Sequence, residues 1–292
     1  MFKAEAQSSA LAVADSLYTI SNYSNAINEY SKVGGLSSAL QIARSYNAIG
    51  NYEKAIKQYQ YVVGEDVEHQ LAQFELGKLL LKLKRFKEAK SVFTDLSIFN
   101  ESNPEFQYYL GEVYKELNKA DESLVHYKNA VSLDSTHLRS LFQLAKHYTI
   151  KQERDNALKY ILEGLAYYEN DVSLINLHGL VLFNDSQFEK AIPLFEQGED
   201  KDYVYQKLGY SYNKNWEFDK AKQTYKVLLN RVDTNSQTYF DLASVYQKEN
   251  KLDSAKIFIN KAMDAQKPVF AQGYNELAGI AHQQKDLKTA LK

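Results

Sequence analysis

Small residues return along this chain at a fixed step. Ala55, Ala89, Ser123, Ala157 and Ala191 lie 34 residues apart, and Ala221 and Ala255 keep that step after one interval of 30. The outer intervals are irregular: Ala26 to Ala55 is 29 residues and Ala255 to Ala290 is 35. Self-similarity at a period of roughly 20–50 residues marks stacked supersecondary units, none of which can bury its apolar face alone.

Each unit reads as two helices. The first carries Leu, a small residue, then Tyr three positions later, as in Leu110-Gly111-Tyr114, Leu208-Gly209-Tyr212 and Leu242-Ala243-Tyr246. That spacing puts all three on one helical face, where the small residue admits a second helix closely and the aromatic fills the gap beside it. A turn follows, often with Asn, Gly or Lys. The second helix opens on Tyr23, Tyr52, Phe86, Phe188, Phe218 or Leu252. Acids come next (Glu53, Asp121, Asp155, Glu189, Asp219, Asp253), in the first turn, where they suit the positive end of the helix dipole. The recurring small residue then precedes Tyr59, Phe93, Tyr127, Phe195 and Tyr225 by four positions.

The unit length, the Leu-Gly-x-x-Tyr core and the later Ala-x-x-x-Phe/Tyr together resemble the tetratricopeptide repeat, in the form met in bacterial proteins. The resemblance covers eight units and part of a ninth, nearly the whole chain. Two departures are the absent Trp at the fourth position and the mostly absent Pro near each unit's end. The resemblance implies an all-α fold, a right-handed α-solenoid of stacked antiparallel helix pairs forming a superhelix. The units fall at about 7–35, 36–69, 70–103, 104–137, 138–171, 172–201, 202–235 and 236–270, with a partial one at 271–292.

Two irregularities bear on shape. Gly34-Gly35 is expected to end the first unit's second helix early. Pro193 removes a helical hydrogen bond just before the short step, so a change of pitch is expected around residues 193–204.

Composition excludes several functions. With 35 basic against 37 acidic residues, nothing favours nucleic acid, which needs a clustered basic excess. No apolar run approaches the roughly 18 residues of a membrane span. The absence of cysteine removes disulfides, thiolate metal sites and cysteine nucleophiles. The six histidines form no metal-ligand motif, and no phosphate loop, nucleophile elbow or HExxH stands in the sequence. No catalytic residue, cofactor or metal is therefore expected. Glu112 and Glu116 read as a solvated face with Lys115 between them, and His126 as a surface residue. His178 stands where other units put Leu and reads as a core histidine satisfied by a neighbouring helix.

By the register of the resembled family, first helices line a concave groove, which implies binding of an extended peptide or protein. The fifth position runs Leu40, Phe74, Tyr108, Phe142, Asn176, Gln206, Phe240, and the ninth Arg44, Lys78, Glu112, Lys146, Leu180, Tyr210, Ser244. Phe74, Tyr108 and Phe142 beside Arg44, Lys78 and Lys146 suit a partner with apolar and acidic residues; the same rings could equally serve only to cover neighbouring helices. On the groove reading, Glu112, Asn176, Gln206, Tyr210 and Phe240 complete the surface, and Tyr108→Ala weakens a partner without unfolding the chain. The family's clamp for chaperone C-termini needs Lys at the fifth and Asn at the ninth position. Here the pairs are Leu40/Arg44, Phe74/Lys78, Tyr108/Glu112 and Phe142/Lys146, so no such clamp is expected.

The ends leave readings open. Ala4-Glu5-Ala6 resembles a small-x-small signal-cleavage site, making residues 1–6 a leader remnant of an exported or periplasmic protein. The other reading is a frayed first helix in a cytoplasmic one. The partial ninth unit implies a native chain that continues, or a single helix that caps the array. Functionally, the chain reads as a non-catalytic interaction scaffold, or else as the sensor portion of a longer signalling protein with its output domain beyond residue 292.

Overall fold

The computed structural model describes residues 2–231, 236–265 and 271–283, with side chains at 9–231, 236–265, 276–280 and 282–283. The described residues form seventeen α-helices and no strand. The chain divides into two compact units, Met1–Ser140 and Leu141–Lys292. The first holds α1 (Phe2–Thr19), α2 (Tyr23–Val33), α3 (Gly35–Ala48), α4 (Tyr52–Glu65), α5 (Gln70–Lys82), α6 (Phe86–Phe99), α7 (Pro104–Glu116) and α8 (Ala120–Leu133). Helix α9 (Leu138–Ile150) begins just before the division. The second unit continues with α10 (Arg154–Tyr167), α11 (Val172–Asn184), α12 (Phe188–Glu196), α13 (Asp202–Lys214), α14 (Phe218–Arg231), α15 (Ser236–Lys248), α16 (Leu252–Ala265) and α17 (Ala271–Gln283). Within each unit successive helices pack pairwise, and in the second α13 also touches α11 and α15. Residues 2–6, the expected leader remnant, belong to α1, whereas 284–292, the end of the partial ninth repeat, lie outside the described residues.

One contact recurs inside the pairs. Sixteen residues after each of four first-helix glycines, a ring from the second helix lies flat on it. A methyl group placed on Gly77, Gly111, Gly179 or Gly209 would meet Phe93 at 2.8 Å, Tyr127 at 2.5 Å, Phe195 at 2.8 Å or Tyr225 at 2.6 Å. Where the first-helix residue is Ala145 or Ala243, the residue sixteen on is the slimmer Ile161 or Ile259. Those two pairs trade volume between the sides, as close-packed interiors allow, whereas Ala14 and Ala43 stand sixteen residues before the buried rings of Tyr30 and Tyr59. On the second helix, Ala26, Ala55, Ala89, Ala157, Ala191, Ala221 and Ala255 are fully buried. Ser123 takes the same place, and its hydroxyl donates to the Gly111 carbonyl at 2.8 Å.

The turns are equally regular. Ser21, Gly50, Lys84, Asn118, Gln152, Ser186, Trp216 and Asn250 all have φ between 57° and 77°. After each, a backbone N–H closes onto a carbonyl five residues back, as from Asn51 to Tyr46 and from Arg85 to Leu80. These are Schellman closures, which satisfy carbonyls that the helix end leaves free.

The expected irregularities have local causes. Helix α2 stops at Val33, and Gly34 and Gly35 follow with φ of 73° and 80°. Helix α12 has 9 residues, against 14 in α10 and α14, which accounts for the shortened step. Pro193 lies inside it, and the helix runs three residues past that proline. The following loop is pinned from the core, because Asn176 Oδ1 accepts the Glu199 backbone N–H at 3.2 Å.

Gly111→Ala should therefore cost about 1–3 kcal/mol of overpacking, read as a lowered urea midpoint at unchanged helix content. A midpoint equal to wild type would show that the Tyr127 ring can retreat.

Candidate functional site

Each unit carries a large cavity on the face of its first helices. In the first, Arg44 leaves α3 and grips Glu75 of α5, with Nε 3.0 and 2.9 Å from the two carboxylate oxygens and Nη2 2.6 Å from Oε1. From beneath, the buried Tyr59 of α4 donates its hydroxyl to Glu75 Oε2 at 3.0 Å. Such two-pronged guanidinium–carboxylate bonding fixes geometry as well as charge. Tyr18, Asn47, Lys78 and Lys82 complete the wall of a cavity of about 520 Å³. Lys78 lies 5.3 Å from the Phe74 ring centre, and Lys82 4.6 Å from that of Tyr52, to whose hydroxyl it also donates. Neither lysine pairs with a carboxylate among the described residues.

In the second unit, α11, α13 and α15 enclose about 490 Å³. Phe183, Phe188 and Tyr210 form a mutual ring cluster with centres 5.4 to 5.7 Å apart. Asp241 of α15 closes the opposite wall, bonded by the side-chain amides of Gln237, at 3.0 Å, and Gln206. Burial pushes its carboxyl up to about 6, against the pull of those two amides and of Lys207.

The sequence-expected groove residues fall into three groups. Arg44, Lys78, Gln206 and Tyr210 line the two cavities. Phe74, Phe142 and Phe240 are half-buried, and Lys146 is exposed. Phe74 packs on Phe93, Phe106 and Tyr109. Glu112 is tied inward by the Tyr127 hydroxyl at 2.5 Å and outward by Lys115 at 2.6 Å, so it is no free solvated acid. Asn176 is 1% exposed and serves the loop at Glu199. Tyr108 is 8% exposed, set among Tyr109, Tyr127 and His137 with the Arg139 guanidinium over its face. Its burial makes Tyr108→Ala a core truncation, so that substitution does not test groove binding.

The two histidines singled out in the sequence, His126 and His178, are both half-buried. His126, read from sequence as a surface residue, stacks on Tyr114 at 5.1 Å and shares a hydrogen bond with Gln107. Burial, then the charge of Lys90, lowers its pKa. Burial likewise lowers that of His178. The described residues hold no group of three His, Asp or Glu able to bind a metal, and no helix long and apolar enough to cross a membrane.

Sequence register missed Glu75, Tyr59, Tyr18 and Lys82 in the first cavity, and Phe183, Phe188 and Asp241 in the second. Glu75 and Asp241 each directly follow a fifth-position residue, Phe74 and Phe240, and so share the sixth position of their helices.

Tetratricopeptide-repeat models match residues 40–97, 104–137 and 236–268. The chain contains tetratricopeptide repeats. A curated relative, the anaphase-promoting complex subunit CDC16 of Saccharomyces cerevisiae, is 23% identical over 202 residues. That match takes in 65% of this chain and 24% of the relative, so the chain spans about a quarter of that protein's length. Among solved structures, the APC/C hetero-tetramer Cut9-Hcn1 aligns over 97% of this chain and 55% of that one, at TM-score 0.55 and 19% identity. A tetratricopeptide repeat protein from Parabacteroides merdae aligns over 88% and 99% of the respective chains, at TM-score 0.58 and 13% identity. At these identities the structures report the fold.

Two measurements check the site. Tyr108→Ala should lose about 3–5 kcal/mol in urea unfolding, as large aromatic truncations do. Asp241 binds its proton more tightly folded than unfolded, so wild-type stability falls relative to Asp241→Asn as pH rises from about 4 to 6. Lys207 of α13 moderates the effect and Glu276 of α17 enlarges it. The difference should be about 1–2 kcal/mol between pH 4 and pH 7.5, the part-exposed carboxylate giving less than the full shift. Parallel curves would remove the desolvated-carboxylate assignment.

Proposed function

We propose that this chain is a non-catalytic interaction module whose first unit takes an extended protein segment bearing acidic and apolar side chains. Tetratricopeptide repeats are typical of protein–protein interaction scaffolds, and such families are typically non-catalytic. The observation that carries the finer reading is the charge around the first cavity. Arg44 is spent on Glu75, while Lys78 and Lys82 stand exposed on aromatic faces without a carboxylate. An acidic side chain arriving there gains two cations already held in place, and the half-buried rings of Phe74 and Tyr109 near Lys78 offer apolar contact. Lysine at the fifth position is lacking throughout, which supports the absence of a chaperone-tail clamp.

The test is selection of a random dodecapeptide display library on the 292-residue chain and on Lys78→Glu/Lys82→Glu. Wild type should enrich peptides carrying Asp or Glu next to an apolar residue. The double reversal should weaken them by roughly 10- to 100-fold, about 1–3 kcal/mol for the lost and opposed charges. Enrichment that ignores the reversal would remove the first cavity from the reading.

A further inference from the structure

Three repeat positions at the first cavity recur beside the second, and at one of the three the chemistry differs. In the first unit, the ninth position of a first helix is Arg44, the following second helix contributes Tyr59, and the sixth position of the next first helix is Glu75. These three side chains satisfy one another: guanidinium to carboxylate, hydroxyl to carboxylate. In the second unit, the corresponding residues are Tyr210, Tyr225 and Asp241, each 166 residues further on. The carboxylate and the buried tyrosine are retained, but the arginine is gone.

Three features accompany that difference in and beside the second cavity. Asp241 is held by two neutral amides and pairs with no cation among the described residues. The Tyr225 hydroxyl, 0% exposed, has no hydrogen-bond partner there, although Asp241 and Tyr210 both oppose its ionisation. The cavity in front of Asp241 is walled by Phe183, Phe188 and Tyr210. A half-buried carboxylate without a cation, facing a three-ring wall, is complementary to a planar cation. Guanidinium stacks on aromatic faces and bonds a carboxylate through two parallel N–H groups, which an ammonium cannot do.

We infer that the second cavity takes an arginine side chain from a partner protein, which does for Asp241 what Arg44 does for Glu75. The inference rests on the chain being an interaction module, but not on which side chains its first unit takes. Lys207 does not fill the place: its ammonium lies 4.4 Å from the Phe183 ring centre and makes no ion pair with Asp241. Glu276 adds a negative charge near Asp241 that partly offsets the positive charge of Lys207.

The test uses the same dodecapeptide library on the full chain. Peptides enriched by wild type should carry a recurrent arginine, and binding should fall roughly tenfold or more when that arginine is replaced by citrulline, its neutral isostere. Lysine in its place should bind between the two. In Asp241→Asn the arginine and citrulline peptides should bind alike, which assigns the loss to this carboxylate. A second variant needs no ligand: Tyr210→Arg supplies the missing group from within, and should raise the melting temperature at pH 7.5 while abolishing arginine-dependent binding. Enriched peptides lacking a basic residue, an arginine preference that persists in Asp241→Asn, or a Tyr210→Arg that is destabilised and still binds would each overturn the inference while leaving the interaction-module reading in place. If wild type enriches no peptide, both fall together.

Discussion

A flat ring on a bare backbone sets the geometry of this chain. At Gly77, Gly111, Gly179 and Gly209 the first helix has no side chain where the second helix lays down Phe or Tyr. The distance between paired helices is then fixed by the thickness of a ring. Because each such ring sits sixteen residues after its glycine, the length of the turn is fixed as well, and the Schellman closures follow in register. The small buried residues of the second helices serve the opposite side in the same way. From these contacts comes the close spacing that brings side chains such as Arg44 and Glu75, 31 residues apart in sequence, within bonding range.

This also explains what could be read without coordinates. Periodicity exposes contacts that every unit repeats, so the glycines, the rings, the turns and the early end at Gly34 were legible. Contacts made once are not periodic. That Asn176 turns inward to hold the loop at Glu199 depends on the shortened α12, an event of one unit. Tyr108 has the fifth-position register of a groove residue, yet its neighbours Tyr109, Tyr127 and His137 close over it. Whether a ring is surface or core is decided by the particular side chains around it, and register carries no information about them. His126 was misjudged for the same reason, since its burial comes from stacking on Tyr114.

Charge shows a further layer of individuality on the repeated frame. Ammonium groups of Lys78, Lys82, Lys207 and Lys214 rest against aromatic rings. A lysine in that position keeps its charge exposed while its stem covers apolar surface. The frame is uniform, but what it presents differs from unit to unit, and so does the partner chemistry each face suits.

The tyrosines of the second helices tie those faces to the interior. Tyr59 and Tyr127 are buried ring-first, yet their hydroxyls end on Glu75 and Glu112. The ring of Tyr127 is the one that lies on Gly111, so a single side chain spans the molecule from helix seam to outer carboxylate. Any group that takes hold of such a carboxylate competes for an acceptor that also steadies the seam. Occupancy and cohesion are consequently linked quantities: a visitor that leaves the phenol its bond tightens the pair of helices, and one that displaces it loosens them. At Tyr59 and Tyr127 the array thus has a mechanical transmission one side chain long.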